Sequence, residues 1–220
     1  MLPLGPILLL CLLVLLGSGF FRRSINRMAL APPTAVLLAF AMLVGLTVNL
    51  HLAPGLSLNL GGAVFPLCFA VYLALLPSSG GERLWGIGAA LVTAGAVYLV
   101  GRVFPPGLPT ELNLFGFDAQ YLYAVLGGLA GYLTARSMRT AYVAAVLGVL
   151  LADGAHYLSW RLTGMPADRL VPIGGGAQAT PIVAALLALL LTRLLGESWS
   201  RPAAQAAPPS IASDEGLLRR

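Results

Sequence analysis

Asp153 and His156 are the pair of residues in this sequence with the clearest capacity for chemistry. They lie in GVLLADGAHYLSW, residues 148–160, a stretch otherwise typical of a membrane-spanning helix. At a spacing of three residues, both side chains lie on one face of that helix. An acid and a histidine placed in this way can share a proton, hold a cation or bind each other. Because histidine titrates near physiological pH, the pair favours a proton relay.

The depth of Asp153 adds to this interpretation. It lies about 13 residues into its predicted helix, roughly 20 Å from the inner end. A carboxylate there costs about 2.5–3.5 kcal/mol on insertion scales, so it should face the bundle or a water cavity, or be protonated. Two alternatives stay open: Asp153 bonds to a neighbouring helix, or His156 belongs to the headgroup layer.

Asn49, His51 and Gln178 are weaker members of the predicted polar site. Asn49 and His51 are expected to approach the depth of Asp153 from another helix, although His51 is near enough to a helix end to be an interface residue. Two histidines and one aspartate could hold a divalent metal. Only three strong ligands are available, so proton coupling is favoured. No metal, cofactor or catalytic residue is assigned.

The amino-acid composition indicates what kind of segment positions these residues. The 220 residues are 58% hydrophobic and 10% charged, with a mean hydropathy of +0.88. Soluble domains carry roughly 25% charged residues, so this chain could not cover a water-facing surface, whereas lipid removes that requirement. The net charge of +5 does not indicate nucleic-acid binding, because the arginines lie in short clusters between apolar segments.

Seven apolar segments are candidates for membrane spans, each near the length of about 20 residues that a bilayer requires. They are residues 2–21, 34–51, 61–77, 84–103, 119–135, 140–159 and 171–195. The sequence therefore predicts an all-α polytopic bundle of about seven transmembrane helices over residues 1–196. The tail, residues 197–220, is rich in Pro, Ala and Ser and is predicted to be disordered.

Arginine placement predicts the orientation. With the N-terminus outside, three of the 13 basic residues fall in outside segments, namely Arg102, Arg161 and Arg169, and the other ten fall inside. The first span lacks a basic segment before it and is followed by Arg22 and Arg23, so it is predicted to be retained. We expect a prokaryotic inner-membrane protein with a cytoplasmic C-terminus.

Residues 34–77 and 140–195 resemble each other. Each begins Thr-Ala and has a histidine near the outer end of its first helix, then a glycine cluster and a proline. This pattern predicts parallel repeats related by an axis along the membrane normal, as in many transporters. Chance similarity between Ala/Leu-rich segments is the alternative.

The glycine clusters allow two interpretations. Small residues let helices pack closely, and glycine with a nearby proline can also break a helix and free backbone groups for a solute. Close packing is favoured. The residues concerned are Gly61, Gly62, Pro66, Gly174, Gly175, Gly176 and Pro181.

Three blocks carry a resemblance to a known family: LNLGGAVFP (58–66), GVLLADGAHYL (148–158) and IGGGAQAT (173–180). Over residues 34–195 the chain resembles an uncharacterised prokaryotic family of multi-pass membrane proteins, domain of unknown function 1614. The resemblance implies a membrane protein of unassigned activity. It also implies that Asp153 corresponds to the acid of a family block that reads Gly-Ala-Asp followed by apolar residues. This chain departs from the pattern at His156, where Asn is usual, and lacks a second acid after its last glycine cluster.

Three functions follow from these features, and transport of a small solute or ion through an Asp153 site is favoured. A non-catalytic membrane scaffold is the alternative. An intramembrane aspartyl protease needs two close carboxylates, and Asp153 has no evident partner, so an enzyme is disfavoured. The expected partners are the lipid bilayer and a small solute or ion, while homo-oligomerisation stays open.

Overall fold

The computed structural model describes most of the chain and shows it to be mostly helical. The described residues are 4–19, 25, 28, 30–53, 55–76, 80–104, 119–164, 171–175 and 178–196. They contain seven α-helices: α1 Leu4–Gly17, α2 Pro32–Gly45, α3 Phe65–Leu75, α4 Gly80–Val103, α5 Ala119–Thr134, α6 Met138–Thr163 and α7 Thr180–Leu195. Of the sequence predictions, the tail 197–220 and Gly176 lie outside the described residues.

Two of the described helices, α4 and α6, are long and apolar enough to cross a membrane. The others are shorter. For example, α1 and α2 have 14 residues each, which corresponds to about 21 Å at 1.5 Å per residue. The hydrocarbon core is about 30 Å thick. The prediction of a helical protein is therefore confirmed, while a bundle of seven full spans stays a prediction.

The described residues also include a three-stranded sheet that the all-α prediction missed. It consists of β1 Asn49–Ala53, β2 Leu56–Asn59 and β3 Val171–Ile173. β1 pairs with β2 in antiparallel fashion, and β2 pairs with β3 in parallel. The predicted helices 34–51 and 171–195 were therefore wrong at one end each, because α2 ends at Gly45 and α7 begins only at Thr180.

The central helix of the bundle is α6, which packs against α3, α4, α5 and α7. Ser137 and Thr140 form a capping box at its start, which satisfies backbone N–H groups that would otherwise lack partners. Gly164 ends it in the left-handed conformation, with φ of +74°. Its buried face carries many small residues, which allow close helix approach. They include Ala141, Ala144, Ala145, Gly148 and Ala152.

The outer faces of the helices are strongly apolar. Leu84 is 72% exposed and Leu162 is 79% exposed, and similar side chains cover α1, α2 and α7. Monomeric soluble proteins rarely expose contiguous apolar surface of this kind. Together with the two long apolar helices, this surface supports association with a membrane.

Candidate functional site

The Asp153 carboxylate joins α6 to the turn that follows β3. Its Oδ2 atom accepts a hydrogen bond of 3.0 Å from the backbone N–H of Gly174. Gly174 follows the last residue of β3 directly. The carboxylate is only partly buried, and this bond supplies one of the polar partners that an acid on an apolar helix requires.

Gly174 and Gly175 both adopt backbone conformations that favour glycine, with φ of +87° and +71°. A Cβ on Gly175 would lie 2.7 Å from the Thr180 nitrogen. The described part of this turn is therefore tightly packed against the start of α7. The last glycine cluster coincides with an interruption of regular helix, since α7 begins only at Thr180.

The two glycine clusters lie against each other. A Cβ on Gly62 would overlap the Gly174 carbonyl oxygen, and a Cβ on Gly174 would lie 2.7 Å from the Gly62 carbonyl carbon. The close packing favoured from the sequence thus occurs between the two clusters. Pro66 and Pro181 stand in the first turns of α3 and α7, where proline is tolerated without breaking a helix.

A small cavity adjoins this junction. It is lined by Gln120, Tyr123, Asp153, His156, Pro172, Gly175 and Thr180. Its free volume of about 10 Å³ is close to the minimum that holds one water molecule. Asp153 and His156 therefore line the same water-sized space.

Two buried polar atoms at the cavity have no hydrogen-bond partner among the described residues. They are Nε2 of His156 and Oγ1 of Thr180, and both side chains are 3% exposed. Most buried polar side-chain atoms in proteins are hydrogen-bonded, and exceptions point to a bound water, an ion or a functional role. The cavity is therefore lined by an acid and by two residues that each carry a buried polar atom without a described partner.

Aromatic rings and α4 hold the His156 imidazole in place. The ring centroid of Tyr98 lies 4.7 Å from that of His156, and the centroid of Tyr123 lies 6.3 Å away. Tyr123 in turn donates a hydrogen bond to the carbonyl of Phe104. On the α4 side, the imidazole packs directly against Gly101. The orientation of His156 thus depends on α4 as well as on its own helix.

Gly101→Ala should displace the His156 imidazole, because a Cβ at this position would overlap Nε2. We expect a loss of about 1–3 kcal/mol in unfolding free energy, the usual cost of overpacking. Thermal unfolding in mild detergent measures it. Gly88→Ala is the matched control, since a Cβ there meets nothing within 4 Å. In a His156→Ser background, Gly101→Ala should cause little further loss, because the overlapping imidazole is absent. An equal loss in both backgrounds would locate the clash elsewhere.

Asn49, His51 and Gln178 do not line this cavity as the structure describes it. Asn49 and His51 lie on exposed β1 instead of a helix, with His51 opposite Ser57. Gln178 is partly buried in the turn before α7. Asn49 and His51 therefore lie on a strand paired with β2 and outside the lining of the cavity that Asp153 and His156 share.

Asn59 is a buried polar residue that was not predicted from the sequence. Its amide donates to the Leu46 carbonyl at 2.9 Å and to Asn49 Oδ1 at 3.0 Å. Its Oδ1 accepts from the Gly62 N–H at 2.6 Å. Asn59 thereby caps the π-helical turn Leu60–Val64 that carries the first glycine cluster. Its position directly before a helical segment was the available signal, since asparagine is a preferred N-cap residue.

Comparisons with protein-family models, with curated proteins and with solved structures found no match to this chain. The resemblance to domain of unknown function family 1614 therefore stays a prediction.

Proposed function

We propose that this protein is a multi-pass membrane protein that transports protons or a proton-coupled small ion, with Asp153 and His156 at the transport site. The observation that carries the proposal is the water-sized cavity that Asp153, His156 and Thr180 share. Two of its lining residues, His156 and Thr180, each have a buried polar atom without a partner in the described part of the chain. Intramembrane acids are by default candidates for transport and proton relay.

The size of the cavity supports a small transported species. About 10 Å³ accommodates one water molecule at most, whereas drug-sized ligands occupy pockets of about 300–1,000 Å³. A water between the Asp153 carboxylate and the His156 imidazole would pass a proton from one to the other. Among the described residues, no other acid lines this cavity, which disfavours a two-carboxylate protease.

The bond between Asp153 and Gly174 suggests how proton binding is coupled to movement. A carboxylate accepts a stronger hydrogen bond than a neutral acid does. Protonation of Asp153 would therefore weaken its bond to the Gly174 N–H. That bond connects α6 with the turn before α7, so its loss would release this turn and change access to the cavity. Helices interrupted near their binding site serve this purpose in known carriers.

Asp153→Asn tests the proposal because it removes the titrating group while keeping the shape of the side chain. The measurement is proton flux into proteoliposomes, driven by a valinomycin-imposed potassium gradient and followed with an entrapped pH dye. We expect a rate at least about tenfold below that of the wild type, as for the loss of a positioned proton-transfer group. Glu82→Gln, which changes a carboxylate that instead accepts from Ser137, should leave the flux unchanged. Equal flux in Asp153→Asn and the wild type would refute the role of Asp153.

A membrane scaffold is the second candidate, and the same Asp153–Gly174 bond favours it. Side-chain hydrogen bonds between membrane helices contribute about 0.6 kcal/mol on average, so Asp153 could act as structural glue. Single cysteines at 153 and 156, in a background with Cys11 and Cys68 replaced by serine, separate the two candidates. Labelling by a membrane-impermeant thiol reagent requires the cavity to open beyond its volume of about 10 Å³ and therefore supports transport. A lowered unfolding temperature of Asp153→Asn together with unchanged proton flux supports the scaffold.

The proposal places the protein in the prokaryotic inner membrane, with its N-terminus outside and its C-terminus in the cytoplasm. The arginine distribution supports this orientation. In that orientation, the cavity lies toward the outer end of α6. The partners of the protein are then the lipid bilayer and the transported ion.

A further inference from the structure

A second cavity, much larger and almost wholly apolar, lies at the opposite end of α6. Its free volume is about 100 Å³, against about 10 Å³ for the polar cavity. Its lining comes from α1, α2, α3, α6 and α7, together with Ile25, Met28 and Leu30. Representative lining residues are Leu12, Leu38, Met42, Tyr142, Leu186 and Leu189. Water does not fill an apolar cavity of this kind, whereas hydrocarbon does.

The position of this cavity indicates which part of the bilayer it meets. Leu12 and Leu16 belong to the second half of α1, and Tyr142 belongs to the first turns of α6. These are the ends that the arginine distribution assigns to the cytoplasmic side. The cavity is partly open. From the cytoplasmic ends of α1 and α6 it extends to Met42 and Ile182, which lie near the opposite ends of α2 and α7.

A positively charged side chain, Arg193, follows the apolar lining residues on α7. Arg193 stands four residues after Leu189, which lines the cavity, and so lies on the same face of α7. Basic pockets between transmembrane helices on the cytoplasmic side bind anionic lipid headgroups. An apolar cavity beside arginine is thus complementary to an anionic phospholipid.

We infer that this cavity binds one acyl chain of an anionic phospholipid from the cytoplasmic leaflet, with the headgroup near Arg193. The free volume of about 100 Å³ is below that of a cavity of about 150 Å³ that takes a benzene molecule, so the cavity encloses only the end of the chain. The headgroup provides selectivity, because apolar contact alone does not distinguish one lipid chain from another. The inference rests on the membrane embedding in the proposed function but not on proton transport.

Native mass spectrometry of the full chain provides the test. The protein is equilibrated in mild detergent with equimolar phosphatidylglycerol and phosphatidylcholine, and the lipid retained is identified. We expect the wild type to retain phosphatidylglycerol preferentially. Arg193→Gln should lower this preference about fivefold, the effect of one arginine near an anionic surface. Arg83→Gln, which changes an exposed arginine beside a different cavity, should keep the preference.

Ala39→Phe tests the cavity itself, because Ala39 is 3% exposed and lines it from α2. The larger ring should fill the space and abolish retention of both lipids. Equal retention of the two lipids by the wild type would overturn the inference, and this result needs no variant to fold. An unchanged preference in Arg193→Gln would also overturn it.

Proton flux through the same preparations separates this inference from the proposed function. Asp153→Asn should keep its lipid preference while losing flux, and Arg193→Gln should lose lipid preference while keeping flux. A wild type without lipid preference but with Asp153-dependent flux contradicts only the lipid site. A wild type with lipid preference but without flux contradicts only the transport proposal.

Discussion

Gly61→Ala is expected to prevent stable folding. Gly61 lies where the π-helical turn crosses the end of α2, and a Cβ there would overlap the Met42 carbonyl oxygen and lie 2.7 Å from the Gly45 carbonyl carbon. Both atoms belong to the backbone, so no change of rotamer relieves the overlap. We expect the loss in unfolding free energy to exceed about 3 kcal/mol, above the usual range for overpacking.

Thermal unfolding in mild detergent, with size-exclusion profiles of the expressed protein, measures this effect. Gly95→Ala is the matched control, because Gly95 lies in exposed helix and a Cβ there meets nothing within 4 Å. Alanine at position 95 should leave the unfolding free energy at the wild-type value or raise it by about 0.5–1 kcal/mol. If Gly61→Ala unfolded at the wild-type temperature, the close approach of Gly61 to α2 would be disproved.

Asn59→Leu is the second change expected to have a large effect. Leucine has a similar size, but it removes the acceptor for the Gly62 N–H and the donor to the Leu46 carbonyl. Asn59 is fully buried, so water cannot replace these bonds. Each buried group left without a partner costs about 1–3 kcal/mol, and we expect a total loss of about 3 kcal/mol or more.

Asn49→Leu provides the comparison, because it removes only the Asn59–Asn49 bond at an exposed position. Its effect on the unfolding temperature should be small, since Asn59 keeps its bonds to the backbone. Comparable destabilisation by the two variants would show that the bonds from Asn59 to the backbone are not what stabilises this region. Asn59→Asp, which retains an acceptor for Gly62, should fall between Asn59→Leu and the wild type.

Gly61→Ala and Asn59→Leu are both expected to affect the proposed transport site, although neither residue lines its cavity. Asn59 holds the Gly62 N–H, and Gly62 packs against Gly174. Gly174 in turn donates to Asp153. A chain of backbone contacts thus runs from the first glycine cluster to the carboxylate. Milder variants along this chain that still fold should therefore change proton flux without touching Asp153.

The sequence by itself predicted the helical character of this protein and the central pair of its candidate site. Both are local properties. Apolar segments with few charges form helices because their backbone groups must be satisfied within the segment when water is absent. Asp153 and His156 share a face because three residues make nearly one helical turn. These inferences required no knowledge of which segments are neighbours.

The small sheet, the role of Asn59 and the partner of Asp153 were decided only by the tertiary structure. β2 pairs with β3, and Gly62 packs against Gly174, although each pair is far apart in the sequence. A short segment such as 49–53 or 171–173 is too brief for periodicity to distinguish strand from helix end. Its backbone adopts the conformation whose hydrogen bonds another part of the chain can complete. For that physical reason Asn49 and His51 lie on a strand instead of a helix, and a glycine N–H is the hydrogen-bond partner of Asp153.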